Sequence, residues 1–332
     1  MKALLSREPG PPETLRLEEV PDPVAGPGEL LVRVRACAIN YPDVLIIEDK
    51  YQFKPARPFA PGGEVAGTVE AVGEGVSGWS VGDRLIAYHG HGGLAEKVAV
   101  PAAHAFPLPD AHSFAEGSTL LITYATVIHA LWDRGRLKAG ETLLVLGAAG
   151  GIGIAAIELG KARGARVIAA VSSEEKAQAA RQAGADFAIV YPAGPFDKDG
   201  LKALAEQFKS AVGPAGADVI LDPVGGDYAE PALRSIAWEG RYLVVGFPAG
   251  IPRLPLNLTL LKSCDVCGVF WGAFAARDPK GNADHVAELF QLWGEGKISP
   301  RISATYPLDR GGEAIAAMAA RKVIGKLVVT LN

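Results

Sequence analysis

The glycine-rich segment VLGAAGGIG, residues 145–153, constrains the fold more than any other feature of this chain. It follows the apolar run ETLLVL and opens a helical segment, and a second apolar run begins at Arg166. The glycines depart from a strict G-x-G-x-x-G spacing, but in this context they allow a tight turn and close approach of backbone N–H groups to a pyrophosphate. The sequence therefore predicts a dinucleotide site. Its candidate contacts in this loop are Ala149, Gly150, Gly151 and Ile152.

Apolar runs alternate with helical segments beyond Thr123, which is typical of a parallel βαβ sheet. ADVILD, RYLVVGF and CDVCGVF continue the pattern, with helical stretches near residues 198–211 and 227–238. These runs give about six strands, as in a doubly wound sheet.

The first part of the chain has a different residue pattern, with many Pro and Gly residues and short β-branched runs such as ELLVRVRACAI and EVAGTVEAV. Such runs predict a mostly antiparallel barrel or sandwich. The tail has helical patterns at residues 283–293 and 310–321 and a closing strand, GKLVVTL, which we assign to the first domain. The predicted domains are residues 1–123 with 271–332, and residues 124–270.

Charge and cysteine content exclude several classes of function. The net charge is −4 and no run of five like charges occurs, so neither nucleic-acid nor membrane binding is expected. The longest charge-free runs are shorter than the roughly 20 apolar residues of a membrane helix. The N-terminus lacks a secretory signal, and three cysteines fit a reducing compartment, so we expect a cytoplasmic protein.

The end of the second parallel strand decides which dinucleotide is preferred. NAD sites usually place a carboxylate there, whereas this chain has Ser172 and Ser173, followed by Lys176. Hydroxyl groups and an ammonium can hold a 2′-phosphate. Glu174 and Glu175 are expected in the first turn of the next helix, with Ser172 or Ser173 as its N-cap. The pattern favours NADP over NAD.

Five motifs in order carry a resemblance to a known family. They are ACAINYPD, PGGEVAGTVEAVGEGVSGWSVGDRL, TYATVIHAL, GAAGGIG and VIGKLVV. Together they resemble the medium-chain dehydrogenase/reductase superfamily, and within it the zinc-free quinone oxidoreductases. The resemblance implies a GroES-like, mostly-β catalytic domain beside a Rossmann domain with a six-stranded parallel sheet.

The same resemblance implies that no zinc is bound. Zinc-containing members have Cys, His and usually Cys where this chain has Asn40, Gly63 and Ile122, and a proton-relaying hydroxyl where it has Pro42. Without these ligands the Lewis-acid route to alcohol oxidation is lost. Hydride transfer from NADPH to a conjugated acceptor remains, since the acceptor spreads negative charge onto its own oxygen.

Two residues are candidates for catalysis. Tyr51 resembles the proton-donating tyrosine of zinc-free enoyl-thioester reductases, and a phenol with a pKa of about 10 is protonated at neutral pH. It could equally be a loop tyrosine that covers a pocket. Asn40 could bind the substrate or the nicotinamide ribose, or it could be a capping or turn residue.

The resemblance also implies further cofactor contacts. Thr126 is expected on the nicotinamide side and Tyr191 on the adenosine phosphate side, while Phe247 and Phe270 follow parallel strands at the edge where ligands bind. Either phenylalanine could instead be a core residue. Lys326 is either a cofactor contact or a solvated lysine at the start of an edge strand. The CDVCGVF strand resembles one that joins two sheets across a two-fold axis, so a homodimer is expected.

Three hypotheses follow. The first is an NADPH-dependent, zinc-free reductase of a small electrophilic substrate, a quinone or a related conjugated carbonyl. The second is an enoyl- or acryloyl-CoA reductase, which Lys50, Lys54 and Arg57 near Tyr51 would favour. The third is a nucleotide-binding protein with little turnover.

Overall fold

The computed structural model describes residues 1–321 and 323–332. The chain forms two compact units. Met1–Ile122 and Pro300–Asn332 make up the first, and Thr123–Ser299 the second. No helix in the described part of the chain is both long and apolar enough to span a bilayer.

The strands are numbered in chain order, and β1 to β7 with β14 and β15 lie in the first unit. They are β1 (Lys2–Leu5), β2 (Arg16–Glu19), β3 (Glu29–Ile39), β4 (Glu64–Val72), β5 (Arg84–Tyr88), β6 (Lys97–Pro101), β7 (Ala105–Pro107), β8 (Thr142–Leu146), β9 (Arg166–Val171), β10 (Phe187–Val190), β11 (Ala217–Asp222), β12 (Ile236–Val244), β13 (Asp265–Gly268), β14 (Ile302–Pro307) and β15 (Lys326–Thr330).

The α-helices are numbered in the same way, and α3 to α10 lie in the second unit. They are α1 (Tyr41–Ile47), α2 (Phe114–Gly117), α3 (Thr126–Ile128), α4 (Gly151–Ala162), α5 (Glu174–Gln182), α6 (Lys198–Val212), α7 (Ala229–Leu233), α8 (Asn257–Lys262), α9 (Trp271–Arg277), α10 (Pro279–Gly294) and α11 (Gly311–Ala319). Leu121–Ala125 and His129–Arg134 form π-helical turns on either side of α3.

The main sheet of the first unit is built around the long strand β3. One edge of β3 pairs with β4 along most of its length, and the other edge is shared by β6 in its first half and β15 in its second, all antiparallel. The register places Leu327 opposite Ile39 and Glu64 opposite Ala38. The first residues of β15 and β4 therefore flank the end of β3, where α1 begins.

The second unit contains a six-stranded parallel sheet in the order β10-β9-β8-β11-β12-β13. Its central strands are apolar on both faces, as expected when helices cover both sides. The prediction of one domain with a doubly wound, six-stranded Rossmann sheet and another that is mostly β is confirmed. All carboxyl ends of parallel strands lie at one edge, which is where such sheets bind ligands.

The predicted domain boundary at residue 270 differs from the division that the structure has. Residues 271–299, which include α9 and α10, belong to the second unit. His129 stacks on Phe274 with ring centroids 4.2 Å apart, and the Trp132 indole N–H donates to Glu288 at 2.9 Å. These contacts join the two helices to the π-helical turns at the start of the same unit. The closing strand β15 does return to the first unit, as the tail pattern predicted.

Candidate active site

The candidate cofactor residues of the second unit, apart from Thr126, follow the carboxyl ends of the parallel strands. The glycine loop follows β8, Ser172 follows β9, and Tyr191 follows β10. Phe247 and Phe270 come after β12 and β13. Their side chains are 44% and 60% exposed, so the alternative that they are core residues is wrong. Thr126 begins α3 and is partly buried.

The glycine loop is shaped so that side chains are excluded where the backbone turns. Gly147 has a φ of 57°, and a Cβ there would lie 2.8 Å from Val224 Cγ2. A Cβ on Gly153 would lie 2.5 Å from the backbone of Ala148. Gly150 is the N-cap of α4 and offers no side chain to its first N–H groups. These donors and the positive end of the helix dipole fit a pyrophosphate.

Neighbouring loops hold the glycine loop in place. The Tyr191 hydroxyl is buried and hydrogen-bonded to the Gly147 backbone, and burial raises the pKa of Tyr191. Asp222, at the end of β11, accepts hydrogen bonds from the Tyr242 hydroxyl at 2.6 Å and from the Val224 N–H at 2.8 Å. Asp222 therefore fixes the loop whose Val224 side chain faces Gly147. The structure assigns it a supporting role.

The end of β9 carries the residues that predicted NADP. The Ser173 hydroxyl accepts from the Lys176 N–H at 3.3 Å, so Ser173 is the N-cap of α5. The Lys176 ammonium donates to the Ser172 hydroxyl at 3.1 Å. Glu174 lies in the first turn of α5, paired with Arg181 at 2.6 Å. A hydroxyl and an ammonium thus stand together beyond β9, and Glu174 is engaged elsewhere.

A buried polar cluster lies at the end of β3 in the first unit. The Lys326 ammonium donates to Asn40 Oδ1, and Asn40 Nδ2 donates to Glu64 Oε2 at 3.1 Å. Lys326 Nζ is 3.8 Å from the same Glu64 oxygen. Lys326 is only 3% exposed, so the alternative of a solvated lysine is wrong. Its role as a cofactor contact stays a prediction.

Asn40 is the N-cap of α1, in agreement with one of its two alternatives. Its backbone N–H donates to Asp43 Oδ2 at 2.7 Å, and Asp43 Oδ1 accepts from Gly62 N–H at 2.9 Å. Burial raises the pKa of Asp43 to about 6, although these hydrogen bonds and Lys326 oppose the shift. Burial likewise raises the pKa of the Glu64 carboxyl and lowers that of Lys326, while attraction between the two opposes both shifts.

Tyr51 lies in the loop after α1 and packs, partly buried, against the core of the first unit. Burial raises the pKa of its hydroxyl, and the nearby Asp43 carboxylate raises it further. Tyr51 therefore keeps its proton at neutral pH, as a proton donor must.

Sequence reasoning missed Asp43 and Glu64 as members of the cluster. Both lie inside motifs that the sequence displayed, ACAINYPD and PGGE, and two acidic residues among apolar ones were the available signal. Among the described residues, no group of three or more His, Cys, Asp or Glu side chains is arranged to hold a metal ion.

Comparison with known families gives two matches along the chain. A family model described as the alcohol dehydrogenase GroES-like domain matches residues 26–110. A second, described as zinc-binding dehydrogenase, matches residues 151–288. The first match lies in the first unit and the second in the unit with the parallel sheet.

Individual proteins are similar over nearly the whole chain. Quinone oxidoreductase-like protein 2 homolog of Nematostella vectensis is 37% identical over 92% of this chain and 82% of its own length. Synaptic vesicle membrane protein VAT-1 homolog of Homo sapiens is 30% identical, over 92% of this chain and 80% of its own. The structure of Escherichia coli quinone oxidoreductase complexed with NADPH has a TM-score of 0.90 and 28% identity, covering 100% of both chains.

Proposed function

The chain belongs to the zinc-free, quinone oxidoreductase-like branch of the medium-chain dehydrogenase/reductase superfamily, and from this premise we propose that it reduces quinones or related conjugated carbonyls. That it is an NADPH oxidoreductase follows from its membership. What we propose is the class of molecule that accepts the hydride from NADPH. The observation that carries it is the residue set at Asn40, Gly63 and Ile122, which offers neither a thiolate nor an imidazole to activate an unconjugated substrate.

The second unit contains groups that can bind the phosphates of NADPH. The first N–H groups of α4 would bind the pyrophosphate, and Ser172 with Lys176 would bind the 2′-phosphate. Bound NADPH supplies the hydride. Thr126, Phe247 and Phe270 are proposed to border the nicotinamide end and Tyr191 the adenosine side, with Ala149, Gly151 and Ile152 in the glycine loop.

A conjugated acceptor needs no metal because negative charge moves onto its oxygen as hydride arrives. The protein then has to orient the acceptor and supply a proton. We assign the proton to the hydroxyl of Tyr51, which is held protonated by burial. Asn40 is proposed to help form the same site without reacting itself, since its amide is already hydrogen-bonded to Lys326 and Glu64.

Turnover with alternative acceptors tests the proposal. Purified protein is mixed with NADPH and either 1,2-naphthoquinone, 9,10-phenanthrenequinone or crotonyl-CoA, and oxidation of NADPH is followed by absorbance. We expect rapid oxidation with the quinones. If the quinones gave no rate above the enzyme-free background while crotonyl-CoA was reduced, an enoyl-CoA reductase would replace the proposal. No turnover with any acceptor, together with tight NADPH binding, would favour a nucleotide-binding protein.

Two of the three basic residues that would favour a CoA thioester, Lys50 and Arg57, form ion pairs within the protein. The Arg57 guanidinium donates to Asp49 at 2.7 Å, and Lys50 pairs with Glu48 at 2.7 Å. Because paired cations attract a distant phosphate less strongly, this arrangement favours the quinone over the CoA substrate.

We also propose that the protein is a homodimer joined at β13. This strand is at the edge of the parallel sheet, and Val266 on it is 41% exposed. Leu260, on the adjoining helix α8, is 78% exposed, and Leu256 and Leu261 are similarly open. An uncovered strand edge beside exposed leucines is a surface that folded proteins usually cover, and a second copy offers the same edge.

A cytoplasmic location is proposed from the three free cysteines.

A further inference from the structure

Three histidines that the proposed function does not use lie together in the first unit. His89 and His91 are in the loop after β5, and their rings stack with centroids 5.5 Å apart and an angle of 16° between the planes. His104 ends a short 3₁₀ helix before β7 and stacks on Tyr88, the last residue of β5, at 4.5 Å. Charges on His91 and His104 would both act on His89. These three imidazoles are called the histidine cluster below.

The loop of residues 89–93 is held by backbone hydrogen bonds to the two glycines that precede β4. The His89 N–H donates to the Gly63 carbonyl at 2.9 Å, and the Gly93 N–H donates to the Gly62 carbonyl at 2.8 Å. Movement of the loop would therefore reach Gly63, which is one of the three positions that carry the proposed function.

The surroundings of two of these rings do not accommodate a second proton. His91 Nδ1 and His104 Nδ1 are buried and have no hydrogen-bond partner among the residues that the structure describes. The ring of His91 packs against those of Phe53 and Phe59, with centroids 5.7 and 5.8 Å away. A charged imidazole has an N–H at both ring nitrogens, and a buried donor without an acceptor is costly. Protonation of either ring would create such a donor.

The electrostatic environment acts in the same direction. Burial lowers the pKa of all three imidazoles, and the other two rings lower the pKa of His89 further. The Glu29 carboxylate raises the pKa of His89, and the backbone of His89 and of Tyr88 raises the pKa of His91 and of His104, but burial outweighs these effects. The folded loop therefore binds protons less tightly than an open loop would.

We propose that the histidine cluster is a proton-sensitive latch for the loop of residues 89–93. While the rings are uncharged, they keep their stacked arrangement and the loop stays bound to Gly62 and Gly63. Acid favours the open loop, because only there can the imidazoles bind protons without repelling one another or leaving a buried N–H unpaired. The stabilisation of the closed loop is complete above about pH 6.5 and is lost as the pH falls toward the lower pKa values of the folded loop.

Variants that change only histidines isolate this effect. Asp43 also titrates near the loop, since it accepts a hydrogen bond from the Gly62 N–H and its pKa is about 6, but it is present in every variant. His91→Phe and His104→Phe each keep an aromatic ring that cannot bind a proton, and a double variant combines them. His112→Phe changes a histidine of the same unit outside the cluster and is the control.

Hydrogen exchange followed by mass spectrometry measures how often the loop opens. The full-length proteins are compared at about pH 7.5 and about pH 5.5, and each rate is divided by that of an unstructured peptide of the same sequence at the same pH. One pH unit below 6.5, an imidazole that binds a proton only in the open loop favours opening by about 10-fold. The corrected exchange of residues 89–93 in the wild type should accelerate at least about 10-fold at the lower pH, while that of β8 should not.

Each single variant should accelerate less than the wild type, the double variant should lose most of the acceleration, and His112→Phe should behave as the wild type does. Equal corrected exchange of the wild-type loop at both pH values would overturn the proposal, as would a double variant that accelerates as much as the wild type. Equal acceleration of β8 would show that acid opens the whole chain, and the latch would be abandoned. If the phenylalanine variants do not fold, His91→Gln and His104→Gln, which also cannot bind a proton, replace them with the same criteria.

Discussion

Glu158 gives the sharpest test of the electrostatics in the second unit. It lies on α4, and its Oε2 accepts from the Tyr124 hydroxyl at 2.6 Å and from the Ser299 N–H at 3.2 Å. Tyr124 and Ser299 lie next to the two points where the chain passes between the units. Burial raises the pKa of Glu158 from 4.5 to about 7, against the opposing effect of these hydrogen bonds.

This shift makes stability depend on pH in a direction opposite to that of an ordinary ion pair. The folded state binds the Glu158 proton more tightly than the unfolded state does, so the stabilisation is complete below pH 4.5 and is lost as the pH rises through about 7. At about 1.4 kcal/mol per tenfold change in affinity, the free energy of unfolding falls by about 3 kcal/mol across this range. Glu158→Gln resembles the protonated form and should not show the fall.

Urea unfolding of both proteins between pH 4.5 and about 8 would measure the difference. All tryptophans except Trp79 lie in the second unit, so fluorescence reports mainly on that unit. Glu158→Gln should match the wild type at the acid end and exceed its stability at the alkaline end. Glu206→Gln, at an exposed helix position, is the control and should run parallel to the wild type. Parallel profiles for Glu158→Gln would refute the assignment of this titration to Glu158.

Three further predictions concern the proposed function. Tyr51→Phe should lower the rate constant for enone reduction by about 100-fold while leaving NADPH affinity unchanged, because only the proton donor is removed; a steady-state assay with unchanged kcat would reject this role. Ser172→Ala/Lys176→Ala should weaken NADPH binding by about 10- to 100-fold in a fluorescence titration, with NADH little affected; tighter binding of NADH by the wild type would contradict the 2′-phosphate assignment. Val266→Lys should yield monomers in light scattering because a charge would enter the proposed β13 interface, whereas an unchanged mass would place any dimer contact elsewhere.

Local patterns were sufficient to predict the parallel sheet. Its strands are continuous apolar runs and its first turn is rich in glycine, and these features lie next to one another in sequence. The sequence also limited the N-cap of α5 to Ser172 or Ser173, because a cap acts over three residues, and the structure has it at Ser173. Where the pattern was ambiguous, the prediction failed. The helix expected near residues 227–238 ends at Leu233, and Ile236 pairs with Ala217 in β12.

The domain boundary could not be read from the sequence for a related reason. The helices α9 and α10 have amphipathic patterns that fit either unit. Their assignment depends on partners far away in the chain, such as His129 stacked on Phe274 and Trp132 bonded to Glu288. Helical periodicity shows that a face is buried, but it does not say against what.

The sequence by itself determined the fold class, the family, the dinucleotide loop and the loss of side chains that could bind zinc, because each of these depends on residue types in short segments. The tertiary structure alone decided which side chains surround Asn40. Lys326 and Asn40 are separated by nearly the whole chain, and strand pairing between β15 and β3 brings them together. A buried ammonium and a solvated lysine look the same in sequence, since the difference lies in what surrounds them after folding.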